Sequence, residues 1–252
     1  MKVEIINKEQ VKEIFKSWGT FACTCYNTPK KFAERVGKSC LQSGHFSGSR
    51  ADYIKFEISG VSRACIDQMI RSEIGVAKNV MSGRYVDFSD FTYFTPELIE
   101  TDDILKDLYH THMAETKLTY KAIVQRLNEL GVTGEKAFEI ARGVSPMNHH
   151  SSLTIGFTIE ALINFMHKRL CTCAQDEIQM LAKEMKKAVV EVLPELNRLL
   201  VPICVDKGYC PESAKRSCNL YPQKEVADAL MLEYRKNLQF RKMIDGKVKN
   251  ND

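Results

Sequence analysis

The spacing of apolar residues changes between the two halves of this sequence, and that change limits the folds available to it. Residues 53–59 (YIKFEIS) alternate between apolar and polar side chains, which is typical of a half-buried strand. Residues 2–7 alternate in the same way and predict a first strand. Residues 102–130 instead follow the period of an amphipathic helix that ends at Gly131. A chain that combines such strands with a mostly helical second half is predicted to be an α+β protein.

The other elements are predicted from the same two periods and from the positions of Gly and Pro. Gly60 is expected to end the strand at 53–59, and SGHFSGSR at 43–50 is expected to be a loop. No internal repeat or long linker divides the chain, so a single mixed α+β domain with a helical half is expected. Further helices are predicted over 9–17, 30–42, 61–73, 134–142, 151–170 and 174–193, further strands over 18–26 and 84–93, and a loop or small lobe over 201–222.

Composition and charge exclude several classes of protein. The chain has 252 residues, of which 44% are hydrophobic and 27% charged, which is enough for a large core and unlike collagen or a disordered chain. No stretch approaches 18 uncharged apolar residues, and the N-terminus lacks an apolar segment, so neither a membrane span nor a secretory signal is expected. A cytoplasmic location follows as an expectation. The net charge of +4 suits small anionic ligands and does not suggest a nucleic-acid partner.

The nine cysteines are an unusual feature, and an odd number in a cytoplasmic chain argues against a disulfide framework. Cys23 and Cys25, on the strand predicted at 18–26, are expected to be structural. The later cysteines could supply the thiolates of a tetrahedral zinc site, or could be separate buried thiols acting as small apolar residues. The spacing is not that of a C-x2-C motif, so both interpretations stay open. The candidate zinc ligands are Cys171, Cys204, Cys210 and Cys218.

A group of polar residues between positions 68 and 85 could bind an anion. Gln68 and Arg71 are three residues apart and share one face of the helix predicted at 61–73. The following Ser82-Gly83-Arg84-Tyr85 adds a hydroxyl, a second guanidinium and a glycine that lets the backbone approach a ligand closely. The alternative is a surface ion pair between Asp67 and Arg71, followed by an ordinary turn.

A second group lies in the helical half. Asn164 falls within an apolar helix, where an unpaired amide is costly, and Arg169 lies near the end of that helix. The alternative is a packed helix whose terminal arginine extends into solvent. His149 and His150 are expected to form a polar entry to this helix. The sequence has no Ser/His/Asp arrangement, no P-loop and no G-x-G-x-x-G, so neither nucleophilic hydrolysis nor Rossmann cofactor binding is indicated.

Five segments in a fixed order cover most of residues 43–180 and together resemble the flavin-dependent thymidylate synthases: SGHFSGSR, FEISGVSRACIDQMIR, NVMSGRY, ARGVSP and ALINFMHKRLCTCAQDEI. The resemblance implies a central, mostly antiparallel sheet. It implies an enzyme that converts dUMP to dTMP with one carbon from methylenetetrahydrofolate. The hydride comes from reduced FAD, which NADPH regenerates. It also implies a homotetramer whose active sites are shared between subunits.

The resemblance further implies roles for individual residues on the nucleotide side. Arg169 matches the arginine beside the uracil ring, where a fixed positive charge stabilises negative charge developing on the ring as C5 attacks. This makes Arg169 the candidate catalytic residue and needs no enzyme nucleophile. The residues that match dUMP-binding positions are Gln68, Arg71, Ser82, Gly83, Arg84, Arg142 and Arg169.

On the flavin side the sequence departs from the family pattern. Ser72 and Glu73 replace the histidine and second arginine of R-H-R, Val80 replaces an acidic residue, and Arg50-Ala51 replaces a Glu-His pair. Replacing arginine by glutamate beside an anionic diphosphate reverses the local electrostatics. Either FAD binds in a rearranged mode, using Lys78, Asn79 and Asn164, or the flavin chemistry has been lost. The candidate FAD-contacting residues are Ser47, Arg71, Ser72, Glu73, Asn79, Val80, Thr158, Glu160 and Asn164.

The function expected from the resemblance is therefore thymidylate synthesis with FAD, NADPH and methylenetetrahydrofolate. The alternatives are a divergent enzyme that modifies another pyrimidine nucleotide, and a non-catalytic nucleotide-binding homologue. Residues 1–222 are expected to form the enzyme domain, with the cysteine-bearing loop at 201–222, and residues 223–252 a C-terminal helical extension and tail.

Overall fold

A four-stranded antiparallel sheet forms the centre of the computed structural model, which describes the backbone of residues 1–248 and the side chains of residues 1–238. The strand order is β1-β2-β4-β3, and all three pairings are antiparallel. This confirms the predicted α+β class and the antiparallel sheet. The strands are β1 (Lys2–Ile5), β2 (Ile54–Ser62), β3 (Val76–Val80) and β4 (His150–Phe157).

Helices surround this sheet, and the helices predicted over 30–42, 61–73, 102–130, 134–142 and 174–193 are confirmed in kind. They are α1 (Lys8–Lys12), α2 (Ile14–Cys25), α3 (Ala33–Ser43), α4 (Arg63–Met69), α5 (Glu97–Glu100), α6 (Asp103–Glu129), α7 (Glu135–Ala141), α8 (Ile159–Arg169), α9 (Asp176–Val192), α10 (Ile203–Lys207) and α11 (Lys224–Val248). Short 3-10 helices cover Lys30–Phe32, Ser47–Ala51, Arg142–Val144 and Pro194–Leu196. No helix among the described residues is both long enough and apolar enough to cross a bilayer.

The strand predicted over 18–26 is wrong, because this segment belongs to α2. Its small and aromatic residues bury one helical face, with Trp18, Ala22 and Cys23 inside and Cys25 exposed. A short apolar run fits either period, and here packing against α3 decides for the helix.

The single helix predicted over 151–170 is also wrong, because the run divides into β4 and α8 at Thr158. The Thr158 hydroxyl accepts a hydrogen bond from the Ala161 amide at 3.3 Å and so begins the helix. His150 is therefore a strand residue, and His149 is buried beside Phe88 instead of forming a polar helix entry. A continuous apolar run is equally typical of a buried strand and a buried helix.

The predicted strand at 84–93 is absent, apart from one isolated bridge between Tyr93 and His149. Its aromatic side chains serve another purpose: Phe88 and Phe91 enter a second apolar core with residues of α6 and α7. The Phe88 amide donates a hydrogen bond to the buried Tyr120 hydroxyl at 3.2 Å. The strand that does complete the sheet, β3, lies between the helix predicted at 61–73 and this segment.

Gly60 does not end β2, because the strand continues to Ser62 across a shift of register between Ser59 and Val61. Such an irregularity turns the end of the strand without ending its pairing. The strand therefore leads directly into α4, which begins at Arg63.

Two glycines allow α2 and α3 to approach closely. A Cβ added at Gly19 would lie 1.6 Å from the Ala33 carbonyl oxygen, and one at Gly37 would lie 1.9 Å from the Phe15 carbonyl oxygen. Both contacts are with backbone, which cannot move aside as a flexible side chain can. The pair therefore fixes the distance between the two helices.

We expect Gly19→Ala to lower the free energy of unfolding by about 3 kcal/mol, because the added methyl forces α2 and α3 apart. Urea denaturation followed by circular dichroism measures this change. Gly143→Ala is the matched control, since its Cβ would meet nothing within 4 Å. Equal stability of the two variants would contradict the close helix contact.

Candidate functional site

The first group of functional side chains lies where α4 meets the C-terminal end of α8. The Arg169 guanidinium donates a hydrogen bond from Nη2 to the Gln68 carbonyl oxygen at 3.0 Å. The Gln68 side-chain amide donates to the Gln175 side chain, directly before α9. Arg71 lies near enough for its charge to help lower the pKa of Arg169. We call Gln68, Arg71 and Arg169 the α4 group.

The structure has neither a surface ion pair between Asp67 and Arg71 nor an Arg169 side chain that extends freely into solvent. Asp67 pairs with Arg63, at 3.1 Å, and not with Arg71. Arg169 is held by Gln68 and half-buried, so it does not simply extend into solvent. Burial is the main cause that lowers the pKa of Arg169, which nevertheless stays a cation at neutral pH. The α4 group therefore presents fixed positive charge.

Cys65 lies beside Arg169 and is fully buried. Burial, together with the charge of Glu177, raises the pKa of the Cys65 thiol to about 12. The thiol is therefore protonated at neutral pH and unsuited to act as a nucleophile. The chemistry available at this position comes from the charge of Arg169.

A buried carboxylate positions α4, although the sequence analysis assigned no role to this residue. Glu177 of α9 is fully buried and accepts a hydrogen bond from the Ser62 amide at 2.6 Å and another from the Ser62 hydroxyl. The same Ser62 hydroxyl accepts from the Cys65 amide at 3.0 Å and so caps α4. The available signal was an acidic residue within an otherwise apolar face of α9.

The second group is Ser82, Gly83, Arg84 and Arg142, which we call the Ser82 group. The Arg84 amide donates to the Ser82 hydroxyl at 3.2 Å, which closes a tight turn. A Cβ at Gly83 would lie 2.6 Å from the Phe88 ring and 3.5 Å from Cδ of Arg142, so the turn lies directly against that arginine. Both arginines are exposed. This arrangement can bind a phosphate with guanidinium and backbone donors.

The two groups belong to different parts of the molecule. The α4 group lies beside the main core, which contains Met69 and Met166. The Ser82 group lies beside the second core, which contains Phe88 and Ala141. No hydrogen bond or ion pair of residues 1–238 joins the two groups. Each group on its own therefore presents guanidinium donors beside a different core.

A cavity of about 790 Å³ extends from Arg71 along α8. Three of the FAD candidates, Ser47, Asn79 and Val80, are not among its lining residues. Asn164 faces this cavity and is exposed, so its amide is not buried in an apolar helix as the sequence suggested. The FAD candidates that line the cavity are Arg71, Ser72, Glu73, Thr158, Glu160 and Asn164.

The cavity is not acidic overall, although Glu73 and Glu160 both line it. Arg50 forms a two-point ion pair with Glu160, at 2.6 and 3.2 Å, and both residues line the cavity. Arg71 and Lys168 also line it. Three basic residues therefore face two acidic ones, and the cavity can accept an anion such as a diphosphate.

Gly75 makes room for the segment that closes one side of the cavity. Its φ of +72° and its approach to Thr158, whose Oγ1 would lie 2.6 Å from an added Cβ, both require glycine. The Thr158 amide donates to the Gly75 carbonyl oxygen at 2.9 Å. The segment after Glu73, which contains Gly75, is thereby held against the first turn of α8.

The four cysteines predicted to bind zinc do not form a metal site. The described residues contain no group of three or more His, Cys, Asp or Glu side chains placed to hold a metal ion. Cys204 lies near Cys171 and Cys210, whose charges contribute to the raised pKa of the Cys204 thiol after burial. Cys218 is exposed. The donor set therefore does not fit a tetrahedral zinc ion.

A fixed arginine at a helix junction, an exposed turn beside a further arginine and a basic cavity are all suited to anionic ligands. Residues 9–195 match the family model described as thymidylate synthase complementing protein. The flavin-dependent thymidylate synthase of Nitratidesulfovibrio vulgaris is 36% identical over 187 residues, covering 74% of this chain and 76% of the relative. That of Clostridium tetani is 32% identical over 192 residues, covering 72% and 76%. The chain belongs to this family of flavin-dependent thymidylate synthases.

We expect Glu177→Gln to lower the free energy of unfolding by about 2 kcal/mol, because the amide replaces a charged acceptor of two hydrogen bonds from Ser62. Urea denaturation measures the change. Glu184→Gln is the matched control, since Glu184 lies on the same helix and is exposed. The interpretation is wrong if the two variants are equally stable.

Proposed function

We propose that this chain is a thymidylate synthase that methylates dUMP to dTMP with methylenetetrahydrofolate as carbon donor and FAD and NADPH as reductants. Membership of the family and the names of the relatives support the reaction class. The observation that carries the proposal is the hydrogen bond between Arg169 and Gln68, because it joins two matched nucleotide positions in one rigid junction. The cytoplasm, where these small substrates occur, is the proposed location, with neither nucleic acid nor membrane as a partner.

In this proposal the α4 group holds the base and the Ser82 group holds the phosphate. Gln68 on α4 and Arg71 in the turn that follows it orient the nucleotide, so the two do not share one helix face as the sequence predicted. The Ser82 group supplies guanidinium and backbone donors to the phosphate. Arg169 stands beside the uracil ring. Its charge is fixed before reaction and therefore stabilises the negative charge that develops on the ring when C5 attacks the one-carbon unit.

A shared site follows from the separation of the two groups. Each is attached to its own apolar core, and no hydrogen bond or ion pair among residues 1–238 links them. A second copy of the chain that presents its Ser82 group to the α4 group would complete the nucleotide site. We therefore propose a homotetramer with active sites between subunits. Residues 1–222 are proposed as the enzyme domain, followed by the extension at 223–252.

The cavity beside Arg71 is the proposed FAD site, and its charge fits the group. Bound FAD supplies the hydride for the methyl group. Arg71 and Lys168 would face the diphosphate, while Arg50 neutralises Glu160. Ser72, Glu73, Thr158 and Asn164 line the remainder, and the proposed contacts of Ser47, Asn79 and Val80 would be made outside this cavity. The predicted structural zinc has no part in this function.

Glu73 favours a second candidate, a nucleotide-binding homologue that does not use flavin. Glu73 lines the cavity and forms no ion pair within residues 1–238. An unpaired carboxylate opposes an anionic cofactor. A divergent enzyme acting on another pyrimidine nucleotide would share the same nucleotide groups, and mass spectrometry of the product distinguishes it.

We expect purified protein to bind FAD saturably, with higher affinity when dUMP is present, as followed by the visible flavin spectrum. Arg50→Ala should weaken FAD binding about fivefold, because it leaves Glu160 unpaired near the diphosphate at a cost of about 1 kcal/mol. Glu160→Gln is the matched control and should not weaken binding. If the wild-type chain binds dUMP but no FAD, the synthase proposal fails and the non-catalytic homologue replaces it.

We expect Arg169→Ala and Arg84→Ala each to abolish dTMP formation while circular dichroism shows the native fold. Coexpression of the two variants should restore roughly a quarter of the wild-type activity, because random assembly then places an intact α4 group opposite an intact Ser82 group in that fraction of sites. Product is measured by mass spectrometry.

Coexpression of Arg169→Ala with Arg71→Ala is the control for this experiment. Both substitutions lie in the α4 group, so every mixed site keeps one defect and activity should stay absent. Activity in the Arg169→Ala variant alone would contradict the catalytic assignment. No recovery in the Arg169→Ala and Arg84→Ala mixture would contradict a site between subunits.

A further inference from the structure

Five of the nine cysteines lie on two adjoining segments that the proposed reaction does not use. One segment is the turn between α8 and α9, and the other is the stretch 201–222, which we call the lobe. The expected zinc site does not explain them, because no three donors gather there among the described residues. The five cysteines are Cys171, Cys173, Cys204, Cys210 and Cys218.

Two of these cysteines share one tight turn. The turn is closed by a hydrogen bond of 3.0 Å from the Ala174 amide to the Cys171 carbonyl oxygen. Inside it, the Cys173 amide donates a hydrogen bond to Cys171 Sγ at 3.5 Å. A disulfide requires Cα atoms roughly 4.4–6.8 Å apart, and a turn brings residues two apart into that range.

The two cysteines differ in their surroundings. The amide donated to Cys171 Sγ stabilises negative charge on that sulfur. The Cys173 thiol instead donates its proton to the Arg216 carbonyl oxygen of the lobe at 2.8 Å. Both side chains are partly accessible to solvent. The geometry is that of an attacking thiol, Cys171, with a resolving thiol, Cys173, next to it.

We propose that Cys171-Thr172-Cys173 is a dithiol site that undergoes thiol–disulfide exchange with low-molecular-weight disulfides. Cys171, as the thiolate, attacks one sulfur of the small disulfide, which forms a mixed disulfide and releases the first small thiolate. Cys173 gives up its proton and attacks Cys171 Sγ, which releases the second small thiolate. The protein loses two electrons and two protons, the disulfide gains both, and the products are a Cys171–Cys173 disulfide and two small thiols.

The site is linked to the nucleotide groups by its place in the chain. The turn begins directly after Arg169 and ends at Gln175. Arg169 donates a hydrogen bond to the Gln68 carbonyl oxygen, and Gln175 accepts one from the Gln68 side-chain amide. Oxidation removes the Cys173 thiol proton, so the hydrogen bond from Cys173 to the Arg216 carbonyl oxygen is lost. The turn then no longer bonds to the lobe at this point. This consequence for the nucleotide site rests on the proposed function, whereas the exchange reaction does not.

The exchange is tested with the reduced full-length protein and oxidised glutathione, followed by alkylation and mass spectrometry. Both cysteines fall within one tryptic peptide, residues 170–183. We expect this peptide to lose two hydrogen atoms and to escape alkylation, while the exposed Cys25 takes longer to react. Cys173→Ser should trap a glutathione adduct on Cys171, and Cys171→Ser should abolish fast oxidation of the peptide.

Cys25→Ser is the matched control, because it removes an exposed thiol that lies on α2 and not in the turn or the lobe, and it should leave the exchange unchanged. Separate glutathione adducts on Cys171 and Cys173 in the wild-type protein would overturn the proposal. So would a crosslink from either residue to Cys204 or Cys218. One zinc ion per chain that survives dialysis and protects the peptide from alkylation would overturn it as well.

A second measurement tests the link to the nucleotide groups. The oxidised protein should bind dUMP about fivefold more weakly than the reduced protein, and dithiothreitol should reverse the loss. Equal dUMP affinity of the two forms would overturn the link while leaving the exchange reaction intact. Because the exchange is measured without dUMP or FAD, its failure is distinguishable from failure of the synthase proposal.

Discussion

The contact between Glu177 and Ser62 determines where the functional side chains of the main core lie. A fully buried carboxylate is stable only when its oxygens are paired, and both oxygens of Glu177 accept hydrogen bonds from Ser62. Ser62 ends β2 and caps α4, so Glu177 of α9 joins the sheet to the helix that carries Gln68 and leads to Arg71. The position of α4 in turn gives Arg169 its partner at the Gln68 carbonyl oxygen.

The ion pair between Arg50 and Glu160 bears on one departure from the family pattern, the arginine at position 50. Either residue alone would change the local charge at the cavity. Together they form a two-point pair across 110 positions of the chain, and the excess of basic over acidic lining residues is retained. An exposed pair of this kind adds little to stability, so its effect lies in the electrostatics of the cavity. The unpaired Glu73 remains the residue that opposes an anion there.

Two apolar cores divide the candidate site. The segment after β3 contributes Phe88 and Phe91 to the second core and so holds Ser82 and Arg84 beside Arg142. The sequence identified both sets as candidate nucleotide residues, since each set depends on local spacing and on the family resemblance. It could not predict their separation, because which aromatic residues pack together depends on long-range contacts. For the same reason the segment 84–93 resembled a strand: its aromatic residues favour strands until a helical partner buries them.

The sequence by itself determined the α+β class, the long helices and the identity of the basic residues, because these follow from periodicity, capping signals and motif order. Only the tertiary structure decided the boundary between β4 and α8, the helical state of 18–25 and the absence of a zinc site among the described residues. A buried apolar run is compatible with either period, so its partners choose the conformation. The sequence likewise gives the number of cysteine sulfur atoms. A metal site needs three or more such donors close together in space, and only the packing of the chain decides whether they meet.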